Sequence, residues 1–188
     1  MRSVIFAILL LIASGVRAGE IEAVGLDGKT LTPLSVGKNK ASVLLFVTHD
    51  CPISNGYCPE YRRLQIEYAA KKIGITLVYV DPDAGKSELL KHRKEFGLKE
   101  FAAIHDARHR LVKATGATVT PEAVVIGRKG SIEYRGRVDN LYADYGKRRR
   151  QATVRDLRNA LDALISGKPV PKTRTEAIGC FIPPLPNK

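Results

Sequence analysis

A nearly unbroken apolar run at residues 41–48, ASVLLFVT, is the strongest pattern in the chain. Runs of this kind, rich in branched side chains, are typical of a central strand covered on both faces. A second apolar run, ITLVYV at residues 75–80, predicts a neighbouring buried strand. Residues 54–72 between them have helical spacing and lead into Gly74, a plausible helix stop. The order strand, helix, strand indicates a parallel βαβ unit.

A short hairpin precedes this unit and a further helix follows it. Residues 20–34 hold an Asp27-Gly28 turn between two short alternating runs, which is the pattern of a β-hairpin. Residues 86–96 repeat apolar positions at helical spacing and predict a short helix. His92 lies on this helix among basic residues, so we expect it at the surface.

The second half of the chain predicts another hairpin and a closing helix. Residues 124–126 and 132–135 flank an Arg-Lys-Gly turn and are interpreted as two antiparallel strands. Thr153 can cap a last helix, whose apolar stripe ends at Gly167. A βαβ unit requires parallel strands, whereas a hairpin requires antiparallel ones. The predicted fold is therefore α/β, with a central mixed β-sheet flanked by helices on both faces.

The chain divides into three predicted segments. Residues 1–18 begin with Arg2, continue through an apolar run and end in small residues, as a cleaved signal peptide does. That run is about half the roughly 20 residues that a membrane-spanning helix requires. Residues 19–167 form the predicted domain, and residues 168–188 form an extended, proline-rich tail. We expect an exported protein, periplasmic or extracellular, with no transmembrane segment in the mature chain.

The net charge of the chain indicates which classes of molecule it can bind. The 188 residues carry a formal net charge of +12, and their 44% apolar content is enough for the core of one domain. A strongly basic balance favours an anionic surface or an acidic protein as partner. The chain has no nucleic-acid-binding motif, so no nucleic acid partner is predicted. The four basic residues at 147–150 are interpreted as a solvated loop.

Three cysteines, Cys51, Cys58 and Cys180, define the candidate chemistry. An odd count in an oxidising compartment allows at most one internal disulfide and leaves one thiol over. Cys51 follows the first buried strand and directly precedes a helix, where free backbone N–H groups and the helix dipole favour thiolate over thiol. Pro52 suits the first turn of that helix. We therefore predict an accessible, nucleophilic thiolate at Cys51.

Cys180 is the predicted partner sulfur, because the tail that carries it can fold back over the active face. Cys58 lies seven residues along the helix, which places it about 10 Å from Cys51, beyond the roughly 7 Å limit for a bridge. A helix disturbed at Pro59 would relax that objection, so both pairings stay open. Ser54 stands where a C-x-x-C pair has its second cysteine. Its hydroxyl can donate to the thiolate but cannot resolve a mixed disulfide.

These residues resemble the thioredoxin superfamily. The VLLFVT strand, the C-x-x-S motif at its end, Pro59 in the helix, and VTP at residues 119–121 match its pattern, in which the loop proline is cis and faces the active cysteine. The stretches VTHDCPISNGYCPE, TPEAVVIGRKG and AIGCFI resemble exported redoxins of the alkyl hydroperoxide reductase and thiol-specific antioxidant group, which is peroxiredoxin-like. The resemblance covers roughly residues 20–182.

The resemblance implies an exported thiol oxidoreductase that acts by disulfide exchange or peroxide reduction without a cofactor. Cys51 would be the nucleophile, regenerated by Cys180 or by an external thiol. The implied partners are a protein disulfide or peroxide substrate and a thiol reductant. The catalytic residues implied are Cys51, Cys180, Thr48, Ser54 and Pro121. Thr120 and Pro52 would bind substrate, with the Thr120 backbone free to pair with a bound peptide.

Two departures from the family pattern weaken a peroxidase assignment. Peroxiredoxins of this group carry a proline four residues before the threonine, where this chain has Leu44. Their peroxide-polarising arginine has no clear counterpart, and Arg135 and Arg137 are the candidates. A thioredoxin-like reductase cycle is also incomplete, because the chain has no C-x-x-C dithiol.

An alternative function is copper binding. Cys51, Cys180 and His49 offer thiolate and imidazole ligands, which suit copper. This set resembles copper-delivering thioredoxin-fold proteins of cytochrome oxidase assembly, although the C-x-x-x-C pair of those metallochaperones is absent here. A third possibility is a non-catalytic adaptor that retains only the fold.

Overall fold

A computed structural model describes residues 21–186, so the predicted signal peptide at residues 1–18 lies outside the described residues. The elements in chain order are β1 (Ala23–Val24), β2 (Thr30–Leu31), β3 (Ala41–Val47), α1 (Pro52–Gly56), α2 (Cys58–Ala69), β4 (Ile73–Tyr79), α3 (Lys86–Glu95), β5 (Ala102–His105), α4 (Arg110–Thr115), β6 (Val119–Thr120), β7 (Glu122–Ile126), β8 (Ile132–Gly136), β9 (Tyr142–Asp144), β10 (Lys147–Arg148), α5 (Asp156–Ile165) and β11 (Cys180–Phe181).

The central sheet has the strand order β5-β4-β3-β7-β8. Its first three strands are parallel, since helices connect β3 to β4 and β4 to β5. β7 runs antiparallel to β3, and β8 runs antiparallel to β7. The predicted α/β fold with a central mixed sheet is confirmed. The predicted N-terminal hairpin is present as the antiparallel pair β1 and β2.

β3 is the middle strand and is buried along its whole length. Successive side chains of a strand point to opposite faces, so Val43 and Leu45 join one core cluster while Leu44 and Phe46 join the other. The first cluster contains side chains of α2, α3 and α5, and the second contains Leu111 of α4. This double burial fixes the carboxyl end of β3. Residues 48–51, here called the cysteine loop, follow that end and lead into α1.

Two predicted helix boundaries are wrong. The helix predicted over residues 54–72 is two helices, because α1 ends at Gly56 and α2 begins one residue after Tyr57. Thr153 does not cap the last helix, which begins at Asp156. The backbone N–H of Thr153 instead donates to Asn140 Oδ1 at 2.8 Å, which ties this loop to the β8–β9 connection.

The chain beyond α5 is largely extended, and it adds one short strand. In that strand, β11, Cys180 lies opposite Thr120 in an antiparallel pair with β6. Within residues 21–186 no helix has both the length and the apolar content that a membrane crossing requires.

Candidate active site

Cys51 occupies the N-cap position of α1, directly after the loop that ends β3. Its Sγ accepts a hydrogen bond from the Ser54 backbone N–H at 3.4 Å and, as a thiol, donates to the Thr120 carbonyl oxygen at 3.2 Å. Pro52 is the first residue of α1, as its missing N–H allows. The predicted exposure of Cys51 is wrong, because the residue is only 2% exposed.

The hydrogen bond to Cys51 from Ser54 is donated by its backbone N–H, whereas the sequence pointed to its hydroxyl. α1 is only five residues long, so it offers a smaller dipole than the long helix that was predicted. The backbone group that can stabilise a thiolate at Cys51 is therefore the Ser54 N–H, and the Cys180 side chain also forms a hydrogen bond with the Cys51 sulfur.

The loop that faces Cys51 is β6 together with Pro121. The Thr120–Pro121 peptide bond is cis, and Thr120 is fully buried. The Thr48 and Thr120 hydroxyls lie 3.3 Å apart and share a hydrogen bond. Thr48 thus connects the end of β3 to the proline loop, while the Thr120 carbonyl oxygen meets the Cys51 sulfur.

Cys180 is brought to the same point by its pairing with Thr120. Its side chain contacts Cys51 and Tyr145, and burial, followed by the hydrogen bond and charge of Cys51, raises the pKa of Cys180 to about 11. All three cysteines are free thiols in this structure. The Thr120 backbone is not free to pair with a peptide, as the sequence led us to expect, because β11 already occupies that position.

Residues 173–182, here called the C-terminal strap, are held at both ends. At the β8 end, Arg135 N donates to Thr173 O at 2.9 Å and Thr175 N donates to Arg135 O at 3.1 Å. The Thr175 hydroxyl also lies 2.6 Å from the Tyr134 hydroxyl. At the β6 end, Ile182 N donates to Thr118 O at 3.1 Å. Cys180 therefore sits on a segment fixed to the sheet.

His49 lies in the cysteine loop but is engaged by carboxylates. Its Nδ1 is 2.6 Å from Asp81 Oδ1, and its Nε2 is 3.1 Å from Glu88 Oε1. Burial opposes the charged ring, but the Asp81 hydrogen bond and the nearby carboxylates raise the pKa of His49 above its usual value. Both ring nitrogens that a metal would need are thus occupied.

The copper ligands predicted from the sequence are not assembled as a set. Among the His, Cys, Asp and Glu side chains of residues 21–186, the group with three ligand atoms within 4.8 Å of one another is His49, Asp50 and Asp81. Two carboxylates and one imidazole do not provide the thiolates that copper was expected to use.

The sequence matches the family model described as Redoxin over residues 13–148. This chain belongs to the Redoxin family. A search of curated protein sequences gives no match. The family match and the thioredoxin-like fold support an oxidoreductase that works through cysteine thiols.

Solved structures share the fold of this redoxin. An uncharacterized conserved protein from Geobacillus kaustophilus is 26% identical with a TM-score of 0.77, and the match covers 93% of each chain. A hypothetical protein from Sinorhizobium meliloti 1021 is 24% identical with a TM-score of 0.75, covering 89% of this chain and 92% of that one. A secreted disulfide oxidoreductase from Mycobacterium tuberculosis is 15% identical with a TM-score of 0.56, covering 81% of this chain and 99% of that one.

The two arginines considered for peroxide activation are engaged elsewhere in this redoxin. Arg135 donates to the carbonyl oxygens of Thr115 and Gly116 at 2.8 and 2.6 Å. Arg137 forms an ion pair with Asp156, with 2.7 Å between Nε and Oδ2. Among the described residues, the hydrogen-bond partners of the Cys51 sulfur are backbone groups of Ser54 and Thr120 and the Cys180 side chain, and neither guanidinium is one of them.

Cys58 is buried at the start of α2 in this redoxin. Its Sγ lies 3.8 Å from the Ser54 carbonyl oxygen, and burial raises its pKa to about 12. Cys58 is thus a protonated thiol that is only 2% exposed, whereas Cys180, whose pKa is also raised, is only partly buried and can meet reagents from solvent.

A buried polar chain behind the cysteine loop was missed by sequence reasoning. Asn55 Nδ2 donates to His49 O at 2.9 Å, and its Oδ1 accepts from His92 Nε2 at 2.8 Å. This assignment leaves His92 Nδ1 as the acceptor for the Tyr79 hydroxyl at 2.9 Å. The predicted surface position of His92 is wrong, since it is 5% exposed. These hydrogen bonds connect α1 to α3 and so position the cysteine loop.

The close fit of the strap against β6 depends on Gly179. A Cβ at this position would overlap the Thr120 carbonyl oxygen and lie 2.6 Å from the Thr120 carbonyl carbon. We expect Gly179→Ala to push the strap off β6 at a cost of about 1–3 kcal/mol, and so to disfavour a Cys51–Cys180 disulfide about tenfold or more. Thiol alkylation and mass spectrometry after equilibration in glutathione buffers measure that ratio.

Gly85→Ala is the matched control for Gly179→Ala, because an added Cβ at Gly85 has Ser87 Oγ at 3.8 Å as its nearest neighbour. The control should behave like the wild type. An unchanged disulfide equilibrium in Gly179→Ala would show that the strap does not need this contact.

Proposed function

We propose that this redoxin is an exported thiol–disulfide oxidoreductase in which Cys51 and Cys180 alternate between two thiols and one disulfide. The observation that carries the proposal is that both cysteines meet at Thr120. Cys51 reaches its carbonyl oxygen and Cys180 is its partner across the β6–β11 pair. Two thiols brought together on fixed backbone need little rearrangement to exchange.

The chemistry is a two-electron exchange that needs no cofactor. When the redoxin reduces a substrate disulfide, its two thiols lose two electrons and two protons and form the Cys51–Cys180 bond, and the substrate is released as two thiols. Run in reverse, the same exchange oxidises substrate thiols. Within the pair, Cys51 acts as the nucleophile on the Cys180 sulfur, because the Ser54 N–H can stabilise its thiolate.

Disulfide exchange is favoured over peroxide reduction by the surroundings of Cys51. Peroxide reduction needs a cationic group to stabilise charge on the departing oxygen. Arg135 and Arg137 are committed to other acceptors. Disulfide exchange needs a second sulfur within reach, which Cys180 supplies.

Export is supported by the leader-like pattern of residues 1–18 and by the chemistry itself, since protein disulfides persist in oxidising compartments. A relative of the same fold, from Mycobacterium tuberculosis, is described as a secreted disulfide oxidoreductase. The basic charge of the chain keeps an acidic protein or anionic surface as the proposed class of partner.

The proposal is tested by mapping which sulfurs are joined when the purified protein is oxidised. We expect glutathione disulfide to produce a Cys51–Cys180 bond, with Cys58 remaining free for alkylation under denaturing conditions. Proteolysis and mass spectrometry of the alkylated protein identify the linked peptides. A Cys51–Cys58 link, or an oxidised protein with no internal bond, would contradict the proposal.

A further inference from the structure

We infer that Cys180, rather than Cys51, is the sulfur through which this redoxin exchanges with external thiols and disulfides. The inference rests on the proposed function and specifies the partner side of it. Cys51 then serves as the inner sulfur, which leaves when the internal disulfide is opened and attacks when it is closed again.

The first argument is access. The Cys51 sulfur is enclosed by the Ser54 N–H, the Thr120 carbonyl oxygen and the Cys180 side chain, and the residue is 2% exposed. Cys180 is only partly buried, and its side chain contacts Tyr145, which is 58% exposed. A reagent from solvent therefore meets the Cys180 sulfur before it meets that of Cys51.

The second argument concerns the leaving group. When an external thiolate attacks one sulfur of a disulfide, the other sulfur departs with the electron pair, and the better-stabilised thiolate departs faster. A thiolate at Cys51 is stabilised by the Ser54 N–H at 3.4 Å. Contact with Cys51 and burial disfavour the thiolate at Cys180. Attack at Cys180, with Cys51 leaving, is thus favoured by access, and the Ser54 N–H is a donor beside the departing Cys51 sulfur.

The exchange can be written with its bonds balanced. An external thiolate attacks Cys180 Sγ, so a mixed disulfide forms there while the Cys51–Cys180 bond breaks and Cys51 takes the electron pair. A second external thiolate then attacks the partner's sulfur in that mixed disulfide and releases Cys180 as a thiolate. The two external thiols are oxidised to one disulfide, and the redoxin is reduced to two thiols.

The third argument restricts the class of partner. The backbone edge at Thr120, where an extended peptide would add as a strand, is covered by β11. The strap is fastened at Thr175 and at Ile182, on either side of the cysteine. A partner that presents its sulfur at its own surface, such as a low-mass thiol or an exposed cysteine on a loop, fits this arrangement. An extended peptide that must pair with β6 does not.

The direct experiment uses the wild-type protein with its internal disulfide formed. Brief reaction with glutathione, followed by an acid quench, alkylation with N-ethylmaleimide and mass spectrometry, shows which cysteine carries glutathione. We expect glutathione on Cys180 and N-ethylmaleimide on Cys51. The opposite distribution overturns the inference while leaving the internal disulfide, and hence the proposed function, intact.

Three variants test the inference without relying on the internal disulfide. With glutathione disulfide, Cys51→Ser is expected to form an adduct at Cys180. Cys180→Ser should react at Cys51 at least about tenfold more slowly, because the serine side chain still shields the Cys51 sulfur from solvent. Cys180→Gly removes the side chain that shields the Cys51 sulfur and should restore reaction at Cys51. Equal rates at Cys51 in Cys180→Ser and Cys180→Gly would overturn the inference, even if oxidised wild-type protein had failed to show a Cys51–Cys180 bond.

Discussion

Replacement of Cys51 by serine is expected to reduce the turnover of a disulfide substrate to the background rate. Net reduction of a disulfide consumes two thiols, and a serine hydroxyl cannot take the place of the inner one, because it is neither ionised at neutral pH nor able to form the bond to Cys180. Reduction of a protein disulfide by the pre-reduced redoxin without added glutathione, followed by alkylation and mass spectrometry of the substrate's own cysteines, measures the loss, because the total number of thiols does not change in the exchange.

Cys58→Ala is the matched control for this loss. Cys58 is as buried as Cys51, and its sulfur is 3.8 Å from the Ser54 carbonyl oxygen, so its removal tests whether any buried thiol near α1 is enough. We expect Cys58→Ala to retain wild-type turnover. Comparable losses in both variants would mean that Cys51 has no special role.

The second large effect is a loss of stability in acid caused by His92. Burial, followed by the positive charge of His49, lowers the pKa of His92 to about 4 from its usual 6.5. The unfolded chain therefore binds a proton at His92 before the folded chain does, so the free energy of unfolding falls as the pH drops from about 6.5 to about 4. A shift of this size corresponds to about 3 kcal/mol. Urea unfolding at several pH values measures it.

His92→Gln isolates this contribution, since glutamine offers a donor and an acceptor but does not titrate. The variant is expected to be less stable than the wild type at pH 7, and the difference should shrink toward pH 4. The pKa values of Asp81 and Asp106 are raised mainly by burial, so these two groups increase the free energy of unfolding as the pH falls and partly offset the effect of His92. Because both proteins contain them, their contributions cancel when the variant is compared with the wild type. Parallel pH profiles for the two proteins would show that His92 is accessible to protons in the fold.

The sequence predicted the fold correctly where consecutive residues of one segment are all buried. The run at residues 41–48 predicts a strand covered on both faces, and β3 is found at residues 41–47. Cys51 lies four residues beyond its end, so the position of the candidate nucleophile could be predicted from the same pattern. The hairpin of β7 and β8 was likewise readable, because apolar strands and a glycine turn are contiguous in the chain. Chemistry at the end of a buried strand is the kind of site that such patterns predict well.

The wrong predictions about the burial of His92 and Cys51 and the free backbone of Thr120 share one physical origin, which is packing between residues distant in sequence. His92 is on the same face of α3 as Leu89 and Phe96, so the signal for burial was present, but its basic neighbours pointed to solvent. The pairing of Cys180 with Thr120 joins segments about 60 residues apart through a two-residue strand, which is too short for a pattern. The burial of Cys51 follows from that pairing and was therefore missed as well.

The pairing of β11 with β6 also links redox state to conformational stability. A bond between Cys51 and Cys180 would close a loop over most of the domain, and loop-closure entropy alone gives it roughly 4–5 kcal/mol of stabilisation. By thermodynamic linkage, folding must favour the disulfide over the dithiol by that same amount. If the proposed bond forms, the surrounding thiol pool sets the conformational stability of the domain: oxidising conditions raise the free energy of unfolding, and reducing conditions lower it.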